Sequence, residues 1–401
     1  MKIKPKHLAW LMMVTYMVSY ITRINYGAVL VSMVEATGFS KTQLSIAVTG
    51  SFVTYGVGQI ISGFLGDRFS PKRLMACGLS VTACINMILP FFHDPYVMAG
   101  FWCINGFAQA FMWPPLVRIM VAVFNEEEYK HASVTVSYGS SGGTVLIYLL
   151  SPLIISLSGW QSVFRIAALC AIIMIPVWLK FCPEVSVAQQ KKAASGAGTS
   201  AALKALFTPM MICCMLAIIL QGSLRDGVTT WMPTYISETY NLGSAVSILT
   251  GVALPLFSIL CFRITEYVHV HKIRSPITCS AVVFGIGTLA ASILLFVTGR
   301  SAAASTACTA ILTGSMHGVN LLLICMVPHY FSSTGRVSLI SGVLNACTYV
   351  GSAASTYLIP LIMGDGSWTV TVIIWLITAA LGTLLCLLCI PAWNRHMQNN
   401  K

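Results

Sequence analysis

The sequence predicts an all-α integral membrane protein with twelve transmembrane helices in two pseudo-symmetric six-helix halves. Three observations carry that prediction. The 401 residues are 57% hydrophobic and 8% charged, with a mean hydropathy of +0.82, far from the balance of water-soluble domains. Apolar runs of about twenty residues recur from one end to the other, each long enough to cross ~30 Å of hydrocarbon. One hydrophilic stretch near the middle divides the runs six and six.

The runs fall at 8–34, 42–65, 72–92, 96–123, 131–156, 161–181, 206–236, 244–267, 275–297, 303–330, 335–361 and 368–391. Inside lipid each backbone must satisfy its own N–H and C=O groups, so runs of this length read as helices. The alternating pattern of a membrane β-barrel does not produce them. The first run follows a lysine-rich start, as a secretory signal would. No small-residue cleavage site follows and Arg23 interrupts the run, so it reads as a retained span.

The stretch 182–205 carries Glu184, Lys191-Lys192 and the small-residue run 193–200, the make-up of a flexible linker. It separates an N-terminal half, 1–181, from a C-terminal half, 206–401, and is expected to be cytoplasmic. The halves echo each other. Arg23 recurs as Arg225 at an offset of 202, and Gly143, Pro152 and Trp160 recur as Gly351, Pro360 and Trp368 at an offset of 208. Duplicated halves around a midplane site are the architecture of alternating access.

The net charge of +12 resembles a nucleic-acid signal until it is placed. With the amino terminus inside, Lys2, Lys4, Lys6, Arg68, Lys72, Arg73, Lys130, Lys180, Lys191, Lys192, Lys204, Arg263, Lys272, Arg274, Arg336, Arg395 and Lys401 share the cytoplasmic side. Lys41 and Arg300 lie opposite, with Arg165 near that edge. That is the positive-inside rule, with both termini cytoplasmic and no nucleic-acid partner. The fourteen cysteines are scattered through the spans, as small apolar residues; no disulfide framework, metal site or cofactor is expected. Glu126-Glu127-Glu128 reads as a solvated cytoplasmic charge run.

Two residues break the apolar pattern. Arg23, in Tyr20-Ile-Thr-Arg23-Ile-Asn25, and Arg225, in Gln221-Gly-Ser-Leu-Arg225-Asp226, each lie about halfway through a span. A guanidinium stays protonated, and placing one at the centre of a membrane helix costs roughly 2.5–3.5 kcal/mol. It is tolerated where it faces a polar cavity and meets an anion, and both are candidate substrate contacts. Asp226 is either a counter-ion for an arginine or a proton carrier. Neighbours on a helix point ~100° apart, so it need not pair with Arg225. His317, well inside a span, is a ligand contact or a packed histidine. Asn345 and Tyr138 are polar enough to line a cavity.

After the second span comes Gly63-Phe-Leu-Gly66-Asp67-Arg68-Phe-Ser-Pro71-Lys72-Arg73, which matches the signature G-x-x-x-D-R-x-x-x-[RK]-[RK] of the major facilitator superfamily. The glycines permit close helix approach and a tight turn. Asp67 is expected to accept bonds from a neighbouring helix end or from Arg118, in a pair broken when the halves rock. Gly63, Asp67, Arg68, Arg73 and Arg118 form the expected conformational set.

Within that superfamily the chain resembles the organophosphate:phosphate antiporters, carriers of glycerol phosphate and hexose phosphates. The resemblance covers nearly the whole chain. It rests on Tyr20-x-x-Arg23-x-Asn25, Gly38-Phe39-Ser40, Tyr55-Gly56, and Gly106-x-x-Gln109-x-x-x-Trp113-Pro114-Pro115-x-x-Arg118. In the seventh span, Arg225 is followed by Trp231-x-Pro233-Thr234-Tyr235. The resemblance implies two arginines gripping one phosphate, each fork taking two oxygens. It also implies contacts from Tyr16, Tyr20, Tyr55, Trp113 and Tyr349, with His317 at another aromatic position; Gln109 and Ser141 are further candidate substrate contacts. The chain departs from those relatives in three places. Gln59 stands where they often have lysine, Ser140-Ser141 where they have a histidine, and Thr230 where they have an acid, with Asp226 added beside the arginine.

The expected function is secondary active transport of a small organic anion, such as a sugar phosphate exchanged for phosphate. Proton-coupled transport of a carboxylate or drug-like compound and a non-transporting sugar-phosphate sensor are the alternatives. No G-x-x-x-x-G-K-[ST] motif supports direct ATP drive, and the acids are too few and scattered for an enzyme. A monomer in the lipid bilayer of the cell membrane is expected.

Overall fold

The computed structural model describes residues 5–39, 41–185, 199–241, 244–334, 336–363 and 368–399. Lys2, Lys4, Ser40, Lys401 and the linker segment with Lys191 and Lys192 lie outside them. All regular structure among the described residues is helical. The helices are α1 (Pro5–Thr37), α2 (Lys41–Gly66), α3 (Pro71–Ile88), α4 (Pro95–Gln109), α5 (Trp113–Val123), α6 (Glu126–Ser158), α7 (Trp160–Phe181) and α8 (Thr199–Leu206). Then follow α9 (Pro209–Tyr240), α10 (Ser244–His271), α11 (Pro276–Val297), α12 (Ala302–Asn320), α13 (Val337–Met363) and α14 (Trp368–Asn399). With α4 and α5 forming one broken span and α8 lying in the linker, these make the twelve spans. Among the described residues, ten helices are long and apolar enough to cross a membrane by length and composition alone.

The helix starts follow from local chemistry. Ser70-Pro71, Asp94-Pro95, Thr208-Pro209 and Ser275-Pro276 each pair a side-chain acceptor with a proline that lacks the donor the first turn would orphan. Asp94, for example, accepts from the Tyr96 and Val97 amides at 2.8 and 2.9 Å. The acidic run at 126–128 is itself a helix start. Asn125 and Glu128 form a reciprocal capping box, and Glu126 pairs with Lys130 at 2.8 Å, with the charges complementing the helix dipole. The fourth span breaks after Gln109 and resumes at Trp113, with Pro114 and Pro115 in the new first turn. The tenth departs from α geometry in a π-helical stretch, Leu321–Met326.

Outward faces are apolar. Leu149, Leu153 and Leu157 on one stripe of α6 are 59%, 57% and 76% exposed. Such a stripe is a liability in water and the expected covering in lipid, so the fold is a multi-pass membrane fold.

The helices group into two compact units, 1–199 with 331–346, and 200–330 with 347–401. In the first, α1 packs on α6, α2 on α4 and α3 on α7, around Tyr26, Trp102 and Phe164 with ring centroids 5.0–6.0 Å apart. In the second, α10 packs on α12 and α11 on α14. A Cβ on Gly143 would lie 2.7 Å from the Met17 carbonyl oxygen, and one on Gly351 would overlap the Ile219 carbonyl oxygen. Met17 and Ile219 are themselves 202 positions apart, so each arginine follows its helix's glycine contact by six residues.

Candidate functional site

In the first unit a buried polar network fixes the rotation of α1. Ser19 Oγ donates to Gln109 Oε1 at 2.7 Å, and Gln109 Nε2 donates to Thr22 Oγ1 at 2.9 Å. Asn25 Nδ2 donates to Asn86 Oδ1 at 2.7 Å, while Asn86 and Asn105 both donate to the Thr22 carbonyl at 3.2 Å. All six side chains are buried, where an unpaired amide is costly. Asn86 and Asn105 were not among the candidates; the signal for them is an amide inside an apolar run.

With Thr22 and Asn25 turned to α3 and α4, Arg23 is directed elsewhere on the helix. Its guanidinium carbon lies 3.9 Å from the Tyr55 ring centroid and 5.4 Å from that of Tyr20. Tyr16 extends the group, 5.1 Å from Tyr20 and 5.3 Å from Trp113. Thus Tyr20 and Tyr55 face Arg23, Tyr16 and Trp113 continue the aromatic row beyond Tyr20, and cation–π attraction holds the guanidinium plane. Gln109 spends both amide ends on α1. Ser141 is buried on α6. Gln59 on α2 accepts from Asn345 Nδ2 at 3.0 Å.

In the second unit Arg225 and Asp226 do pair, although they are adjacent on α9. Nε reaches Oδ1 at 2.7 Å and Nη2 reaches Oδ2 at 2.9 Å. The arginine is long enough to bend back around the helix, so side-chain reach rather than Cβ direction decides. Ser352 Oγ on α13 also donates to Asp226 Oδ2. His317 on α12 packs edge-on against Phe262 at 5.6 Å, with Arg225 and Asp226 the charged groups near it. Tyr349 is buried one turn before Ser352.

The glycine-rich loop forms a third group, within the first unit. Asp67 accepts from the Ser338 and Leu339 amides at 3.1 and 2.9 Å, at the positive end of α13. A Cβ on Gly63 would come 2.8 Å from the Ser338 carbonyl oxygen, so this approach requires glycine. Arg118 is buried and donates through Nη1 to the Gly66 and Phe69 carbonyls. Burial pushes the Asp67 carboxyl up from 3.8 to about 6 against those bonds and the nearby Arg118 and Arg336. Arg73 and Lys72 lie 3.7 and 4.0 Å from Glu184, and Arg68 is exposed. Among the described residues no group of three or more His, Cys, Asp or Glu side chains is placed to hold a metal ion.

Twelve apolar spans, helix pairings that recur in two units, and one arginine set among polar groups in each define a duplicated helical membrane protein. The chain matches the Major Facilitator Superfamily over residues 12–326 and belongs to it. It is 29% identical over 159 residues to the "Probable hexose phosphate transport protein" of Chlamydia muridarum (strain MoPn / Nigg), covering 40% of this chain and 35% of that one. It is 25% identical over 255 residues to the "Membrane sensor protein UhpC" of Salmonella typhimurium (strain LT2), covering 58% and 57%. The chain thus spans only a third to a little over half of these relatives' lengths. The fold is similar to that of the proton:xylose symporter XylE bound to 6-bromo-6-deoxy-D-glucose, with a TM-score of 0.75 at 12% identity over 95% of each chain.

Proposed function

We propose that the protein is a secondary transporter of a small organic anion, with a phosphate monoester as the leading substrate class, and that Arg23 and Arg225 bind the anion. The observation that carries this reading is a half-buried arginine at the equivalent point of each half, six residues past an equivalent glycine contact. A permanent cation in a membrane span is retained where an anion repays its desolvation. The aromatic group around Arg23 adds flat surfaces for the organic part of the substrate. The similarity to a protein named for hexose phosphate transport supports the phosphate class. Exchange for phosphate by alternating access in the cell membrane, with both termini cytoplasmic, completes the proposal. Gly63, Asp67, Arg68, Arg73 and Arg118 are the proposed conformational set.

The similarity to a protein named a membrane sensor favours a second reading, in which the same arginines bind a sugar phosphate without moving it. One experiment separates the two. Purified protein in proteoliposomes is loaded with inorganic phosphate and offered labelled glycerol 3-phosphate, glucose 6-phosphate or a small carboxylate, beside R23A and R225A. Phosphate-dependent uptake lost in both variants supports the transporter. Ligand-induced thermal stabilisation without uptake supports the sensor, and uptake unchanged in both variants removes the arginine site.

A further inference from the structure

A groove of about 470 Å³ opens between α1 and α7. His7, Trp10 and Val14 line it from α1, and Met174, Val177 and Phe181 line it from α7. Each set is spaced i, i+3, i+7, which is one face of a helix. Seven residues at 1.5 Å each make the groove about 10 Å long. Trp10 is 52% exposed, so its ring stands at the edge rather than in the core. Spans one and six run in opposite directions, which brings the start of α1 and the end of α7 to one mouth. That mouth is basic. Lys6 and Lys180 are exposed, and Lys180 Nζ lies 5.4 Å from the centroid of the Phe181 ring. Glu184, the acid nearest Lys180 in sequence, is turned to Ser70, Lys72 and Arg73.

The groove is not a by-product of the duplication, because the second half closes the same place. At the offsets of 202 and 208, Met12 becomes Cys214 and Phe181 becomes Cys389. Cys214 and Cys389 meet with their Sγ atoms 3.6 Å apart, and Cys389 Sγ reaches the Met210 carbonyl at 3.5 Å. Small side chains let α9 and α14 close there, whereas Trp10 and Phe181 hold the equivalent faces of α1 and α7 apart. In a membrane fold an open apolar groove takes a lipid chain, and a basic mouth selects an anionic headgroup. We propose that the groove holds one acyl chain of an anionic phospholipid, whose phosphate meets Lys6 and Lys180. His7 adds a ring nitrogen at the same mouth. By the reading that places both termini in the cytoplasm, the lipid belongs to the cytoplasmic leaflet. The proposal is independent of the arginine site, although α1 carries Arg23 and the lipid ties that helix to α7.

The test is native mass spectrometry of the full chain, released from a non-ionic detergent after incubation with phosphatidylglycerol or with phosphatidylcholine of the same acyl chains. Melting temperatures are read beside it. A lysine near an anionic lipid contributes on the order of fivefold, so two give a preference of roughly 30-fold for phosphatidylglycerol. K6Q/K180Q is expected to bring that preference to within about threefold. K272Q/R274Q removes as much charge from exposed positions of the second unit and is expected to keep it. V14F and V177F fill the groove from its two sides with both lysines in place, and each is expected to lose the bound lipid. Equal binding of the two lipids by the parent overturns the anionic choice. A preference that survives K6Q/K180Q, or falls equally in K272Q/R274Q, overturns the placement at this mouth. Phosphatidylglycerol binding undiminished in whichever of V14F and V177F melts like the parent removes the acyl chain from the groove.

Discussion

Asp67 Oδ2 accepts a hydrogen bond from the Leu339 amide at 2.9 Å, joining residues 272 positions apart in the chain. The carboxylate caps the first turn of α13, yet burial outweighs its bonds and leaves its folded pKa near 6 rather than 3.8. The sign follows from linkage. This conformation binds the Asp67 proton more tightly than the unfolded chain does. The favourable contribution is therefore full below pH ~3.8 and is lost as pH rises to about 6. The parent is expected to gain thermal stability relative to D67N as pH falls from 7 toward 4.5. A melting difference that stays constant over that range would contradict the burial argument.

Gly143 and Gly351 make the same backbone approach, to the Met17 and Ile219 carbonyls. Alanine at either has nowhere to put its methyl group, and overpacking of this kind costs about 1–3 kcal/mol. Gly142 is the control, because its Cβ would meet only the Met17 sulfur at 3.7 Å. G143A and G351A should both lower the melting temperature clearly, and G142A should leave it near the parent value. Equal losses in all three would show that helix propensity, not the close approach, governs these sites.

The spans were legible because a membrane helix needs about twenty apolar residues whatever its neighbours are. Arg23 and Arg225 were legible for the opposite reason, as permanent charges in that background. Contacts were harder to read. Nothing local marks Leu339 as the partner of Asp67, and Asn86 and Asn105 look like isolated amides until folding brings them to Thr22. The pairing of Arg225 with Asp226 ran against the helical-angle argument, since the angle sets where Cβ points and not how far a guanidinium reaches. The acidic run at 126–128 is exposed at Glu126 and Glu127, as a solvated run should be, and its further part in the Asn125–Glu128 capping box depends on where the helix begins.

Asn86 is the hinge of the network behind Arg23, accepting from Asn25 and donating to the Thr22 carbonyl. N86L leaves the Asn25 donor buried without its acceptor, and stranded polar groups cost about 1–3 kcal/mol. The variant should melt lower than the parent and bind anion more weakly, since α1 loses the contacts that orient Arg23. N25V/N86L removes both partners and should recover part of the stability. No recovery in the double variant would mean that packing volume, not the hydrogen bond, sets the loss.

Tyr55 offers the sharper test of the first-unit site. Its ring centroid is 3.9 Å from the Arg23 guanidinium carbon, so the ring face and not the hydroxyl faces the cation. Such contacts are worth from about 0.5 kcal/mol when exposed to about 2 when desolvated. The stack also restricts the guanidinium to one plane, so part of the ordering cost of anion binding is met before the anion arrives. Y55F keeps the π face and should bind a phosphate monoester within about threefold of the parent, a difference of under 1 kcal/mol. Y55L keeps an apolar side chain but loses the face, and should bind about 2- to 30-fold more weakly, the range set by the cation–π energies. If Y55L matches the parent while R23A does not bind, Arg23 holds the anion without help from the ring. If Y55F falls as far as Y55L, the phenol hydroxyl is the group that matters, and the orientation of Arg23 must come from the α1 network alone.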